Sequence, residues 1–159
     1  MMRLLLSTLL VAGVLGVVPV VSGQSFELSL QLQKAHIGEV FLGCQEGATG
    51  GYDRRIDIFA PPPGMQTGYA GFVSADPKLP LMYKDIRSLE LPQEWKLYCQ
   101  PEGNMAIVIT WSAENLPEGL SLTMKQDERA VDMRKVKRMD VRKKTTLVIE
   151  LRKSAPPAP

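Results

Sequence analysis

Apolar and polar residues alternate with period two through most of this chain. Phe26, Leu28, Leu30 and Leu32 interleave with Glu27, Ser29, Gln31 and Gln33, the pattern of a strand that buries one face only. Further short segments of this kind are predicted over 39–44, 56–59, 69–74, 82–86, 94–100, 106–112, 120–125, 131–133, 136–141 and 145–151. In the last of these, Leu147, Ile149 and Leu151 share a face. Gly38, the run Pro61-Pro62-Pro63 and the stretch Asn115-Leu116-Pro117-Glu118-Gly119 punctuate the pattern, and the last of them predicts a hairpin between its flanking strands. No segment shows a convincing helical period. The expected fold is therefore all-β, an antiparallel β-sandwich of immunoglobulin-like or jelly-roll-like type.

Only residues 1–23 depart from the alternation. Arg3, the apolar run from Leu4 to Val18, Pro19 and the small-residue exit Val21-Ser22-Gly23 read as a signal peptide cleaved after Gly23. The competing reading is a retained anchor over Leu4 to Val21, close to the minimum of roughly 17 residues that can span a bilayer. Export sets the expected location as periplasmic, extracellular or secreted. The domain organisation is then a signal peptide over 1–23, one β-sandwich domain over 24–153 and a disordered, proline-rich tail over 154–159.

Charge sharpens this picture. The whole chain carries a net +2, and loss of Arg3 leaves +1. Residues 24–128 sum to −6 and residues 129–159 to +7. The basic third contains Arg134, Lys135, Lys137, Arg138, Arg142, Lys143 and Lys144, a candidate anion-binding patch. For an exported protein its partners would be an envelope or extracellular protein, an acidic polysaccharide or a lipid surface, not nucleic acid. Lysines also protect sheet edges, so self-association through an edge and protection against it both belong among the readings.

Cys44 and Cys99 each fall in phase with apolar residues of their segments, Cys44 with Val40 and Leu42 and Cys99 with Trp95 and Leu97. Two cysteines in an exported chain favour a disulfide, the alternative being two buried free thiols. Trp95 and Trp111 are also in phase with core positions, which favours packing over a sugar-stacking platform.

Several short stretches, in the order Leu42-Gly43, Ala48-Thr49-Gly50-Gly51-Tyr52-Asp53, Ile56-Asp57, Ala60-Pro61-Pro62-Pro63, Lys84-Asp85-Ile86-Arg87, Trp95, Ile109-Thr110-Trp111, Leu116-Pro117-Glu118-Gly119 and Val131-Asp132-Met133-Arg134, carry a resemblance. Together they resemble an uncharacterised β-sandwich module of secreted and cell-surface bacterial proteins. The resemblance spans roughly residues 38–151 and implies a fold and a location, without an established chemistry.

Two features of these stretches have a physical reading of their own. Asp85-Ile86-Arg87 and Asp132-Met133-Arg134 share the form acid, apolar, arginine, which places both charges on one face of a strand. There they can pair with each other or grip a neighbouring loop, a structural role. In the loop around Gly50 and Gly51, Asp53 and Asp57, joined by Glu46, are the candidate calcium oxygens; Arg54 and Arg55 lie beside them, so a salt-bridged turn is expected and no metal or cofactor.

Catalysis is thinly supported. His36 is the single histidine, no serine or cysteine sits in a nucleophile-elbow context, and no spacing singles out a pair among Asp53, Asp57, Asp85 and Asp132. The expected function is a non-enzymatic binding or structural module of the cell envelope or an extracellular assembly. The alternatives are a carbohydrate-binding module and a small carboxylate-dependent hydrolase.

Overall fold

The computed structural model describes residues 24–63, 67–76, 78 and 81–155. The expected signal segment 1–23 and the end of the tail, 156–159, lie outside the described residues. Among the described residues the chain is all-β, with eleven strands: β1 (Phe26–Gln33), β2 (Glu39–Cys44), β3 (Ile58–Phe59), β4 (Tyr69–Val73), β5 (Leu81–Arg87), β6 (Gln93–Gln100), β7 (Ile107–Trp111), β8 (Leu120–Gln126), β9 (Arg129–Asp132), β10 (Arg138–Val141) and β11 (Thr145–Lys153).

These strands form one sheet in the order β10-β7-β1-β2-β5-β4-β6-β11-β8-β9, with β3 added on β5. Its two end strands are neighbours in sequence, with only residues 133–137 between them. Ten strands laid flat would place the ends about 43 Å apart at about 4.8 Å per spacing. Six residue steps reach at most about 20 Å. The sheet must therefore curl until its ends approach. The curl gathers Leu30 and Leu42 from one half and Leu122, Met124, Leu147 and Ile149 from the other into a single core.

Two expectations about pairing are corrected. The sheet is mixed, not wholly antiparallel, because β2 and β5 run parallel. The stretch 115–119 does not close a hairpin: β7 pairs with β1 and β10, while β8 pairs with β11 and β9. Ala113 and Leu116, 6% and 3% exposed, join the core and carry the chain across the mouth of the curl instead. The tight hairpin is β8–β9, whose turn residue Asp127 has φ of +52°, a conformation that Asp tolerates better than most residues.

Strand β5 changes phase in its middle. Its pairing with β3 slips between Ile58, opposite Lys84, and Phe59, opposite Met82. Tyr83 and Lys84 both reach partners on the outer face: the Tyr83 ring lies 5.3 Å from that of Phe41, and Lys84 Nζ lies 2.5 Å from Glu27 Oε2. Beyond the slip, Asp85 and Arg87 are in register with core-facing Leu42 and Cys44. Ile86 consequently faces outward, yet it is only 1% exposed. The segment after β2 is tied down beside it, with Gln45 N–H donating to Arg87 O at 2.9 Å and Ile86 N–H donating to Asp57 Oδ1 at 2.8 Å.

Beside Ile86 the backbones of β1 and β2 approach closely at Gly43, where a Cβ would come to 2.2 Å from Phe26 O. Gly43→Ala is expected to cost about 1–3 kcal/mol, read as a lower urea midpoint. Gly50→Ala, whose Cβ would meet nothing within 4 Å, serves as the control and should stay within about 0.5 kcal/mol of the parent.

Candidate functional site

The curl leaves two seams, and each is pinned by one of the acid-apolar-arginine motifs together with a tryptophan. At the first seam Trp95 of β6 donates its indole N–H to the carbonyl of Asp85 on β5, at 3.0 Å. Arg87 turns back on Asp85 through two bonds, Nε to Oδ1 at 3.2 Å and Nη2 to Oδ2 at 3.1 Å. Its guanidinium lies 5.5 Å from the centre of the Trp95 ring. Asp85 is 2% exposed and Arg87 is partly exposed, so a buried carboxylate has its charge compensated by a guanidinium that still reaches solvent.

The glycine loop closes over the outer side of the same strand. Asp57, 4% exposed, accepts N–H bonds from Asp53 at 2.7 Å and Ile86 at 2.8 Å, one on each oxygen. Asp53 Oδ2 in turn accepts the Thr49 amide at 2.6 Å and the Thr49 hydroxyl at 3.0 Å. Ile56 and Asp57 donate their amides to Asp53 O, which makes this stretch a turn and shortens the third strand to Ile58–Phe59. These carboxylates hold the loop. The expected salt-bridged turn is therefore a turn of carboxylate-to-amide bonds, and among the described residues no group of three or more His, Cys, Asp or Glu side chains gathers as metal ligands. Burial pushes the Asp57 and Asp85 carboxyls above their ordinary value of 3.8, only partly offset by amide bonds to Asp57 and by Arg87 beside Asp85.

At the second seam Trp111 of β7 donates its indole N–H to Met133 O at 2.8 Å and its backbone N–H to Lys137 O at 3.2 Å. Arg134 does not pair with the Asp132 carboxylate. Its Nη2 grips the carbonyls of Leu116 and Pro117 at 2.8 and 2.7 Å and approaches Leu120 O at 3.4 Å, while Asp132 Oδ1 accepts the Arg134 amide at 2.9 Å. Both indoles are buried, Trp95 fully and Trp111 to 5% exposure, and neither offers a face for stacking.

The cysteines are free thiols, which corrects the expected disulfide. Both face the core, but β5 and β4 stand between their strands in the sheet, so the short Cα separation a disulfide needs is not met by pairing neighbours. Burial pushes each thiol up to about 12, with Arg87 pulling the other way at Cys44. His36 is exposed and enters the fold through its backbone, which donates to Gly68 O at 2.6 Å.

The basic third does not form one patch. Arg134 is engaged at the seam, Arg138 forms two bonds to Asp140, at 2.8 and 3.2 Å, and Lys135 and Lys137 stand loosely near Asp132 and Glu114 at 3.8 and 3.9 Å. Arg142, Lys143 and Lys144 remain, all exposed, on the turn between β10 and β11. They border a shallow cleft with Gln126, Asp127 and Asp140.

Sequence reasoning gathered no site from the residues of a second depression, on the outer face between β1 and the end of β7. It is lined by Ser29, Gln31, Thr110, Ser112 and Asn115, polar residues that are individually unremarkable. Their signal in the sequence is the unbroken polar phase of β1 and its counterpart in Thr110 of β7 and Ser112 just beyond it. Compared with known proteins, the chain matches no family model, no curated protein and no solved structure.

Neither thiol is expected to react with iodoacetamide in the native protein, and both should react after denaturation without reductant; a mass consistent with a disulfide would contradict this. Raised carboxyl values mean that the folded state holds its protons more tightly than the unfolded chain. The contribution of Asp57 and Asp85 to stability is therefore greatest at acid pH and declines as pH rises from 3.8 through their raised values. Asp140 and Glu150, held low by Arg138 and Lys125, act in the opposite sense. Asp57→Asn removes one of the two amide acceptors and should cost about 1–3 kcal/mol. It should also remove the Asp57 share of the decline, measured by urea unfolding across this range.

Proposed function

We propose that the protein is a non-enzymatic binding module that acts outside the cytosol, in the cell envelope or an extracellular assembly, and docks on an acidic polysaccharide. Its curled sheet serves as a two-layered scaffold of the sandwich type, immunoglobulin-like or jelly-roll-like, with the turns at its rim free to meet a partner. The observation that carries this reading is the turn Arg142-Lys143-Lys144. Among the described residues none of the three enters an ion pair, whereas Arg134 and Arg138 are committed to carbonyls and to Asp140. Lys144 Nζ stands 5.8 Å from the centre of the Tyr98 ring, which positions one of the three cations over a half-buried aromatic.

Binding is preferred to carboxylate-dependent hydrolysis because every carboxylate of the candidate pool already holds a structural hydrogen bond, Asp57 and Asp85 through both oxygens. Asp57 accepts two backbone amides, Asp85 is held by Arg87, Asp53 takes the Thr49 amide and hydroxyl, and Asp132 takes the Arg134 amide. A general acid or nucleophile needs an oxygen that can reach substrate.

Retention on immobilised heparin, used as an acidic polysaccharide probe, should fall steeply with added salt. Lys143→Glu combined with Lys144→Glu should weaken it by at least about tenfold, on the scale of about 1 kcal/mol per cation near an anionic surface. Retention indifferent to salt and to the double change would overturn the reading. Binding to anionic phospholipid vesicles but not to heparin would reassign the surface to lipid.

A further inference from the structure

We propose that the outer-face depression between β1 and the end of β7 binds a neutral saccharide unit of a glycan through its hydroxyl groups. Its volume is about 350 Å³, within the range of roughly 300–1,000 Å³ usual for ligand sites. A continuous polar row crosses four strands there, Arg138 opposite Thr110, Thr110 opposite Gln31 and Gln31 opposite Glu39.

One wall of the depression is fixed before any ligand arrives. Gln31 Nε2 donates to Ser29 Oγ at 2.9 Å and to Glu39 Oε2 at 2.8 Å, and the Ser29 hydroxyl donates to the same carboxylate oxygen at 3.1 Å. Both amide hydrogens of Gln31 are thereby used, and its carbonyl oxygen is left to accept. The opposite wall is uncommitted. Among the described residues the Thr110 and Ser112 hydroxyls and the Asn115 amide make no side-chain hydrogen bond, so donors and acceptors stand ready on that side. Leu28 and Trp111 turn their side chains into the core, so beneath the depression lies the backbone of β1 and of the end of β7.

Charge decides the ligand class. Among the described residues the one charged residue lining the depression is Glu27, whose carboxylate is matched by Lys84 at 2.5 Å. Among the described residues no cation lines it, and Arg138 at the end of the polar row is taken by Asp140, so an oxyanion has no free counter-charge, while a sugar hydroxyl can both donate and accept against this mixed set. A fixed acceptor wall facing adaptable donors suits the hydroxyl rim of a pyranose ring. The depression shares no residue with the basic turn, so this proposal and the docking on an acidic surface can fail separately.

The test is a titration of the full domain with cellotetraose, maltotetraose and chitotetraose, followed by the NMR resonances of the Trp111 indole N–H and the amides of 110–115. At least one of the three should give saturable shifts confined to this region. Ser112→Ala combined with Asn115→Ala, both at exposed positions, should weaken that binding by about tenfold. The Lys143→Glu and Lys144→Glu pair should leave it unchanged. Absence of saturable shifts with all three sugars, the same shifts with glycerol, or a response that survives the Ser112 and Asn115 changes would each overturn the proposal.

Discussion

Two indole N–H groups hold the curl, and everything else in the molecule depends on the curl. A ten-strand sheet buries its inner face only if it bends round on itself, and bending leaves seams where strands that do not pair come together. Trp95 spans one seam to the Asp85 carbonyl and Trp111 the other to the Met133 carbonyl. Each bond is worth roughly 0.5–1.5 kcal/mol net, but leaving either buried carbonyl without a donor costs more, about 1–3 kcal/mol. Each seam also carries an arginine, used in two different ways: Arg87 closes on its own aspartate, and Arg134 reaches into the crossing loop. The same short motif thus solves two problems, charge neutralisation in the interior and the fastening of a loop.

Strand positions were legible in the sequence to within a residue or two at most ends. Alternation is a local signal, and β1 and β6 display it over their whole length. Pairing was not legible in the same way. Period-two patterning says which face a residue takes and nothing about which strand lies beside it, so the turn-rich stretch 115–119 reads as a hairpin although its strands never meet. Leu116 is the residue that contradicts the hairpin, an apolar side chain in the middle of a polar loop that ends in the core. The parallel pairing of β2 with β5 has no local signature at all.

The candidate sites divide along the same line. Asp53, Asp57, Asp85, Arg87, Cys44 and Trp95 stood out in sequence as separate oddities, and folding brings them around one stretch of β5. Their convergence is architectural: the slip at Tyr83-Lys84 turns Asp85 inward and Ile86 outward, and the surrounding residues satisfy what that turn exposes. The basic residues show the reverse. Seven of them crowd one region of the sequence, and the fold disperses them to a seam, a strand edge and a turn. The polar depression on the outer face was invisible because serine, threonine, glutamine and asparagine carry no pattern until two strands align them.

The position of β11 has a consequence for the order in which the molecule is made. The most C-terminal strand is not at an edge; it lies between β6 and β8, paired with both along most of its length. Until Thr145–Lys153 has been synthesised, β6 and β8 present facing rows of unpaired backbone groups and the core lacks Leu147, Ile149 and Leu151. No shorter stretch beginning at β1 contains a complete sheet. The domain is thus a single unit of folding, with its open edges exposed to other chains for as long as translation continues.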